Sequence, residues 1–465
     1  MVLNSDDKKK PIRKHKKPIA SRPASGPAKP GLQVRAAAAK ILAAVVDRKL
    51  PLDGALDNEH GNPAYKALND ADRALVRAIL NTTLRHLPRI EAALSSLLDT
   101  PLPEGARALQ HILWVAAAQI LYLDVPDHAA VDLAVEQASN DPRSKRFAKL
   151  VNAILRRLGR EKQEILARVR DVSPMPDWFL KRLEAAYGRD VAVAIAESQL
   201  EPAAIDLSVK SDAAGWAEKL NGHVLPTGGV RLAAFEGNIP TLEGFAEGQW
   251  WVQDAAASIP AQLFGDLTGK RVADLCAAPG GKTAQLIVAG GTVVAIEQSE
   301  NRIKRLRSNL DRLKLEAETI ACDLTQYEPD QLFDAILLDA PCSSTGTTRR
   351  HPDVLWTKGP EDIAKLAALQ ERLLRHAVTL LKVGGTIVFS NCSLDPSEGE
   401  EVVARILADT PSIERVAIEA SRWPGLDAAI SAIGEFRTTP DMLRVPTGFA
   451  SGLDGFYAAV LRRVA

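Results

Sequence analysis

Short, nearly continuous apolar runs alternate with helical segments from Trp250 to the end of the chain. The run at 335–338, Ala-Ile-Leu-Leu, contains no polar residue, as expected for a strand covered on both faces of its sheet. Such alternation predicts a doubly wound parallel sheet whose ligands bind at the carboxyl ends of the strands. We predict helices that begin near Gly281, Glu300 and Glu361, and strands at 271–276, 292–297, 319–323, 333–340 and 386–392.

The first half of the chain has a different periodicity. Apolar residues recur every three or four positions from Val34 to about Arg160, which predicts a bundle of helices joined by short loops. The next stretch mixes helical and alternating patterns. Because 465 residues exceed one ordinary core, we predict four segments: a disordered basic tail at 1–31, an all-α domain at 32–170, a small α+β connector at 171–249 and the α/β domain at 250–465.

The formal net charge of zero conceals an asymmetry. Residues 1–31 carry nine Lys or Arg against Asp6 and Asp7, a net charge of +7, so the remainder carries −7. A segment rich in Lys, Pro and Ala cannot build a core. Its charge is typical of contact with a polyanion such as nucleic acid, and equally of a solubilising tail.

Several classes of protein are excluded by composition. The longest apolar run, at 112–123, is interrupted by Gln119 and is too short to span a bilayer, so it predicts a buried helix. No apolar leader with a cleavage site opens the chain. Four cysteines without a CxxC pair give neither a metal site nor a disulfide framework. We predict a cytoplasmic protein with free thiols.

A glycine-rich turn follows the first predicted strand of the α/β domain, at 274–283. Its free N–H groups can hold a negative ligand group where the next helix begins. Gly281-Lys282-Thr283 resembles the end of a triphosphate-binding loop, but Cys276 stands where that loop needs glycine. Glu297 ends the next strand, where a carboxylate can accept both hydroxyls of a ribose. Asp323 closes the third strand and is placed to accept an adenine amino group. For the glycine-rich turn at 274–283, a tight turn that binds no ligand stays open as the alternative.

Two thiols follow the ends of predicted neighbouring strands. Cys342 lies three residues after Asp339 in a loop rich in Ser and Gly, and Cys392 ends the last predicted strand. A single buried cysteine is usually a small hydrophobe. Two thiols in polar loops at adjacent strand ends favour a reactive pair, whereas Cys276 and Cys322 keep a structural interpretation of their side chains.

These motifs resemble a known family. Residues 250–465 are similar to the RNA cytosine-C5 methyltransferases, the group that contains the bacterial Fmu/Sun ribosomal RNA enzymes and the eukaryotic NOP2/Sun proteins. The matching segments are 251–254, 274–283, 339–346, 349–353, 391–393 and 455–458. Residues 34–160 resemble the NusB-type helical RNA-binding fold at 125–131 and 150–157. This pairing points to the bacterial small-subunit rRNA branch.

The resemblance implies a Rossmann-like methyltransferase that uses S-adenosylmethionine. Cys392 would be the nucleophile, Cys342 would assist product release, and Asp339 would hold the target cytosine beside the cofactor. Glu297 would bind the ribose and Asp323 the adenine. The implied partner is RNA, as 16S rRNA or an assembling small ribosomal subunit, with no membrane and no obligate protein partner. The backbone of the glycine-rich turn would line the cofactor site through Cys276, Ala277, Ala278, Pro279, Gly280, Gly281 and Lys282.

Two alternatives remain beside this interpretation. A DNA cytosine-C5 methyltransferase would carry its nucleophile in the Pro-Cys loop, at Cys342, and the second thiol at Cys392 argues against that class. A non-catalytic ribosome-assembly or antitermination factor would need neither thiol, so the intact set with Asp339 argues against it. One departure from the family pattern is Asn391, where threonine is frequent. It flanks the nucleophile without removing a reacting group.

Overall fold

The computed structural model describes residues 29–465 except Glu59 and Glu236. The predicted disorder of the tail therefore lies outside the described residues for positions 1–28. Lys29 forms an ion pair with Glu136 at 3.1 Å, and Gly31 directly precedes the first helix. The folded part thus begins within the segment predicted as tail.

The first domain is built from helices alone within the described residues. The predicted bundle is confirmed. Its helices are α1 Leu32–Arg48, α2 Leu52–Ala55, α3 Pro63–Lys66, α4 Asp70–Arg85, α5 Leu87–Ser95, α6 Arg107–Tyr122, α7 Asp127–Asn140, α8 Ala148–Arg160 and α9 Lys162–Arg168.

Helix α6 forms the centre of this bundle and carries the longest apolar run. Residues 111–121 are all buried, because α1, α4, α5, α7 and α8 pack around the helix. The interrupting Gln119 is also buried, where it accepts a hydrogen bond from Arg35 Nε at 2.9 Å and donates one to the Val115 carbonyl at 2.8 Å. A buried amide is tolerated because its polar atoms are paired.

The connector consists of two helices followed by a small antiparallel sheet. Its elements are α10 Asp177–Tyr187, α11 Arg189–Ser198, β1 Asp206–Val209, α12 Ala213–Lys219, β2 Gly222–Val224, β3 Val230–Leu232 and β4 Trp250–Val252. The strands lie in the order β2-β3-β1-β4. Because β4 pairs with β1, this sheet extends three residues beyond the predicted boundary at 249.

The last domain contains a mixed sheet of eight strands among the described residues. Its main path is β10-β12-β9-β8-β5-β6-β7, and β11 pairs with β12. The elements are α13 Ala255–Gln262, β5 Arg271–Leu275, α14 Gly281–Val288, β6 Thr292–Glu297, α15 Glu300–Leu313, β7 Glu318–Ala321, β8 Phe333–Asp339, α16 Val354–Thr357, α17 Pro360–Thr379, β9 Leu381–Asn391, α18 Glu400–Asp409, β10 Ile413–Val416, β11 Phe436–Thr438 and β12 Phe456–Arg463.

Helices cover both faces of this sheet, as its apolar strands require. Along β8, Ile336 and Leu338 pack with α17 and α18, whereas Ala335 and Leu337 face the cluster that contains α13. Successive side chains of a strand point to opposite faces, so an uninterrupted apolar run serves two cores. The predicted doubly wound Rossmann-like architecture is confirmed.

The structure differs from the predicted parallel sheet on the side formed by β10, β11 and β12. Strands β9, β8, β5, β6 and β7 are parallel, but β12 pairs antiparallel with β9, and β10 and β11 pair antiparallel with β12. Strand β7 ends at Ala321, so Asp323 follows the strand instead of closing it. None of the helices in the described part of the chain has the length and apolarity needed to cross a membrane.

Candidate active site

The functional loops meet because neighbouring parallel strands end at one edge of the sheet. In the pairing of β5 with β8, Leu275 lies opposite Leu338. In the pairing of β8 with β9, Asp339 lies opposite Ser390. The glycine-rich turn, the Cys342 loop and the Cys392 loop therefore start side by side.

The glycine-rich turn is held close to the sheet before α14 begins. Cys276 and Gly280 adopt positive φ values of 66° and 101°. Thr283 Oγ1 donates to Asp274 Oδ2 at 2.6 Å, which ties the first turn of α14 to β5. Burial raises the pKa of Asp274 to about 7 and that of the Cys276 thiol to about 12. A thiol that stays protonated suits a structural role for the Cys276 side chain.

Glu297 is buried at the end of β6, with 4% of the residue exposed. Its Oε1 accepts a hydrogen bond from the Ser299 N–H at 3.1 Å. Its Oε2 accepts no hydrogen bond from the described residues, although Arg302 lies 3.0 Å away as an ion-pair partner. Arg302 also donates to the Ala278 carbonyl at 2.7 Å, which links Glu297 to the glycine-rich turn. A buried carboxylate oxygen without a donor fits the hydroxyl groups of a ribose.

Asp323 lies two residues beyond β7 and is exposed. Its Oδ1 accepts hydrogen bonds from Thr325 N–H at 3.0 Å and Thr325 Oγ1 at 2.8 Å, so it caps a short 3-10 turn. These bonds hold the Asp323 carboxylate just beyond the end of β7.

Asp339 is the acid at the centre of the strand-end cluster. Lys282 Nζ donates to its Oδ2 at 2.8 Å, and Ser390 Oγ donates to its Oδ1 at 3.0 Å. Burial of Lys282 acts to lower its pKa, but the charge of Asp339, their hydrogen bond and the nearby Cys392 raise that pKa above its ordinary value. Lys282 is therefore an ammonium whose position is fixed by its hydrogen bond to Asp339.

The two thiols of the predicted reactive pair are in contact. Cys342 Sγ lies 3.4 Å from Cys392 Sγ. The hydrogen bond to Cys392, together with burial, raises the pKa of Cys342 well above its ordinary value. The raised pKa favours a protonated thiol at Cys342.

Glu398 connects the loop of Cys342 with the loop of Cys392. Its carboxylate accepts from the Ser343 N–H at 2.8 Å and from Ser393 Oγ at 2.6 Å, so it bonds one neighbour of each cysteine. The Asn391 side chain donates to the Glu398 carbonyl at 2.6 Å and accepts from the Ser393 N–H at 2.9 Å. Burial raises the pKa of Glu398. Asn391 thus shapes the loop of Cys392 directly.

Gly346 must be glycine because other backbone occupies the space of a side chain. A Cβ at this position would lie 1.9 Å from the Gly455 carbonyl oxygen and 2.8 Å from that of Cys392. The Gly346 N–H donates to the same Cys392 carbonyl at 2.9 Å. The close approach joins the Cys342 loop to the Cys392 loop by backbone bonds.

Beyond the thiols, a cavity of about 790 Å³ reaches from Cys392 to the first domain. Its lining includes Gly280 of the glycine-rich turn, Arg305 of α15, and Pro51 and Asp53 of the helical domain. The cavity is large enough for a ligand of nucleotide size.

The structure brings together most of the residues that the sequence singled out. Cys276–Lys282, Glu297, Asp339, Cys342 and Cys392 lie at one sheet edge, and Asp323 lies at the end of the strand beside β6. Sequence reasoning missed Glu398 and the role of the Lys282 side chain. Lys282 stood within a recognised motif, so its charge was the available signal. Glu398 follows Cys392 by six residues in a polar stretch and gives no signal before folding buries it.

Comparison with known protein families identifies relatives of both large domains. The sequence model of the 16S rRNA methyltransferase RsmB/F family matches residues 264–462, and that of the NusB family matches residues 32–160. Ribosomal RNA small subunit methyltransferase B of Vibrio vulnificus is 36% identical over 92% of this chain and 99% of its own length. The protein of the same name from Pseudomonas putida is 35% identical over 93% of this chain and 98% of its own length.

Solved structures share the fold. The crystal structure of PH0851 covers 94% of this chain and 99% of its own with a TM-score of 0.70 at 20% identity. A methyltransferase homolog protein from Pyrococcus horikoshii covers 64% of this chain and 97% of its own with a TM-score of 0.51 at 28% identity. The full-length relatives and the two family models confirm the predicted family: the chain belongs to the 16S rRNA methyltransferase RsmB/F family and carries a NusB-family domain before its methyltransferase domain.

Proposed function

We propose that this protein transfers the methyl group of S-adenosylmethionine to carbon 5 of a cytosine in small-subunit rRNA, through a covalent adduct with Cys392. The observation that carries the proposal is the 3.4 Å contact between Cys342 and Cys392 beside Asp339. Methylation of rRNA is supported by the names of the full-length relatives and by the NusB-family domain. The choice of cytosine carbon 5 rests on the thiol pair.

Carbon 5 of cytosine is a poor nucleophile, and the addition of a thiolate to the ring makes it a stronger one. The Cys392 sulfur forms a bond to carbon 6, and the ring electrons then make carbon 5 enamine-like. Carbon 5 bonds to the methyl carbon as the sulfonium–methyl bond breaks. Loss of the carbon-5 proton returns an electron pair to the ring, the sulfur–carbon bond breaks, and Cys392 leaves as thiolate. Covalent catalysis thus divides one hard step into two easier ones.

The surroundings of the thiols suit separate roles. The raised pKa of Cys342 favours its protonated thiol, which does not suit the role of nucleophile. The Lys282 ammonium lies within electrostatic reach of the Cys392 sulfur, so its charge can offset negative charge that develops there during the reaction. We assign the removal of the carbon-5 proton to Cys342, whose thiol would pass its own proton to water and take up the proton from carbon 5.

Asp339 suits the positioning of the base. Its two oxygens are oriented by Lys282 and Ser390, and 29% of its side chain remains exposed. A carboxylate in this setting can accept a hydrogen bond from the exocyclic amine of cytosine and so hold the base in place. The base must be unpaired or flipped out of a helix to reach the pocket.

The residues at the strand ends fit S-adenosylmethionine, which supplies an electrophilic methyl group when bound. Glu297 would hold the ribose hydroxyls through the oxygen that lacks a hydrogen-bond donor. Asp323 would accept from the adenine amino group. The turn from Cys276 to Lys282 would line the site through its backbone.

Purified protein, unmodified 16S rRNA transcript and labelled S-adenosylmethionine test the proposal. We expect label in 5-methylcytidine after nuclease digestion and separation of nucleosides. Cys392→Ala should abolish the product, whereas Cys322→Ala, which removes a thiol outside the site, should not. Label in another nucleoside would contradict carbon-5 chemistry. If neither the 16S rRNA transcript nor assembling small subunits become labelled, a non-catalytic assembly factor would be favoured.

A further inference from the structure

The 790 Å³ cavity that Cys392 lines lies between two domains. Helix α15 contributes Arg302, Arg305 and Asn309, and the helical domain contributes Pro51 and Asp53. The segment after the Cys342 loop adds further lining through Ser344 and His351. A ligand in this space would therefore contact the NusB-family domain and the proposed nucleophile together.

The arginines of this cavity differ in their contacts. Arg302 pairs with Glu297, and Arg312 donates to the carbonyls of Phe245 and Trp250 at 2.8 and 3.2 Å. Arg305 is exposed and has no hydrogen-bond or ion-pair partner among residues 29–465 as described. Arg305 thus lines the cavity with a guanidinium that can still form hydrogen bonds to a ligand.

The acids of the cavity do not cancel this charge locally. Asp53 lies 3.5 Å from His351 across the domain boundary. Asp353 accepts the Leu52 N–H at 2.9 Å, and burial raises its pKa. The lining carries three arginines against these two acids, a formal charge of +1, and Arg305 is the arginine among them with no partner in the described residues.

We propose that this interdomain cavity receives the RNA strand that carries the target nucleotide, and that Arg305 binds a backbone phosphate of that strand. The inference rests on the proposed function, because it assumes that an RNA base reaches Cys392. A strand with a flipped base must bring its phosphates near the cavity mouth, and arginine binds phosphate oxygens through charged hydrogen bonds. The helical domain would then contact the same strand, since Pro51 and Asp53 line the space.

The test compares Arg305→Ala with Lys304→Ala in the full-length protein. Lys304 is the adjacent exposed cation of α15 and is not part of the cavity lining, so both variants lose one charge. The probe is unmodified 16S rRNA transcript, titrated at several KCl concentrations. Arg305→Ala should bind RNA roughly tenfold more weakly, as for one charged hydrogen bond, and its salt slope should fall by about 0.7. Lys304→Ala should stay close to the unmodified protein.

Two further measurements separate phosphate binding from other roles. The Kd for S-adenosylmethionine, measured by calorimetry, should be unchanged in Arg305→Ala, and the KM for RNA should rise while kcat changes little. Arg305→Lys should restore most of the RNA affinity. Equal RNA binding by the Arg305→Ala and Lys304→Ala variants would overturn the proposal, and so would a loss of cofactor affinity in Arg305→Ala. The RNA titration measures binding and does not depend on methyl transfer. Failure to form 5-methylcytidine would therefore overturn the proposed function, but the difference in RNA affinity between the Arg305→Ala and Lys304→Ala variants could still be measured.

Discussion

Two acids beside the glycine-rich turn differ in how the protein holds their charge. Asp339 faces the ammonium of Lys282, whereas Asp274 receives one hydrogen bond among the described residues, from Thr283. Burial, opposed only in part by the Thr283 hydrogen bond and the charge of Lys282, raises the pKa of Asp274 to about 7, far above its value in an unfolded chain. The folded protein therefore binds a proton at this site at pH values where the unfolded chain has already lost it.

Asp274→Asn should remove a pH-dependent loss of stability. In the unsubstituted protein, the stability associated with a protonated Asp274 is complete below about pH 4 and is lost as the pH rises through 7. The uncharged amide keeps an acceptor for Thr283 and does not ionise. Urea unfolding at pH 5 and pH 8 should show the variant gaining stability relative to the unsubstituted protein at the higher pH. A difference that is equal at both pH values would contradict this explanation.

Glu297→Ala should weaken binding of S-adenosylmethionine far more than binding of RNA. The lost carboxylate would otherwise accept charged hydrogen bonds worth about 1.5–3 kcal/mol each. Calorimetry with the cofactor measures the change directly. Glu300→Ala is the matched control, since Glu300 is an exposed acid in the first turn of α15. An unchanged Kd for Glu297→Ala would place the ribose elsewhere.

At the scale of elements, the helical domain docks on the segment that follows the Cys342 loop. Trp356 donates through Nε1 to the Leu84 carbonyl at 3.0 Å and packs against the core of the helical domain. Arg85 donates to the Arg349 carbonyl at 2.8 Å. On the other side, Tyr187 of α10 donates to the Leu394 carbonyl at 2.6 Å. The loops of both thiols are therefore braced by the two preceding domains.

Asp353→Ala should destabilise this interface. The substitution leaves the buried Leu52 N–H without its acceptor, which costs about 1–3 kcal/mol. The free energy of unfolding in urea should fall by that amount. Asp53→Ala, at an exposed ion pair of the same interface, should change it little. Equal effects of the two substitutions would mean that the buried bond does not stabilise the docking.

The sequence allowed the fold class, the parallel strands and most site residues to be predicted, because each left a local signal. Apolar runs marked β8 and β9, and polar residues at their ends marked Asp339 and Cys392. The antiparallel strand β12 joins β9 from a distance of 65 or more residues, so its pairing has no local signal. Glu398 and the docking of Trp356 depend likewise on contacts between distant segments.

At the scale of the whole molecule, the basic segment before the first domain should add affinity for RNA without setting specificity. A variant that lacks residues 1–28 keeps Lys29 and its ion pair with Glu136. We expect weaker binding to both cognate and unrelated RNA, with a salt slope reduced by about 0.7 for each RNA phosphate that the shortened protein no longer neutralises. Filter binding at several salt concentrations measures both quantities. If affinity and slope stay the same, the segment is a solubilising tail.

The assignment of separate roles to the two thiols is the central claim, and trapping of the adduct tests it most directly. Cys342→Ala should permit attack and methyl transfer but stall release, because Cys342 shares its loop with Asp339 and serves proton removal. Cys392→Ala should prevent the bond to carbon 6 while leaving cofactor affinity near normal.

The measurement is the amount of protein–RNA complex that survives SDS after incubation with S-adenosylmethionine and 16S rRNA transcript. The account predicts a covalent complex for Cys342→Ala and none for Cys392→Ala or for the double variant. A complex that forms in Cys392→Ala and not in Cys342→Ala would reverse the roles of the thiols. Two active variants that trap no RNA would contradict the covalent mechanism itself.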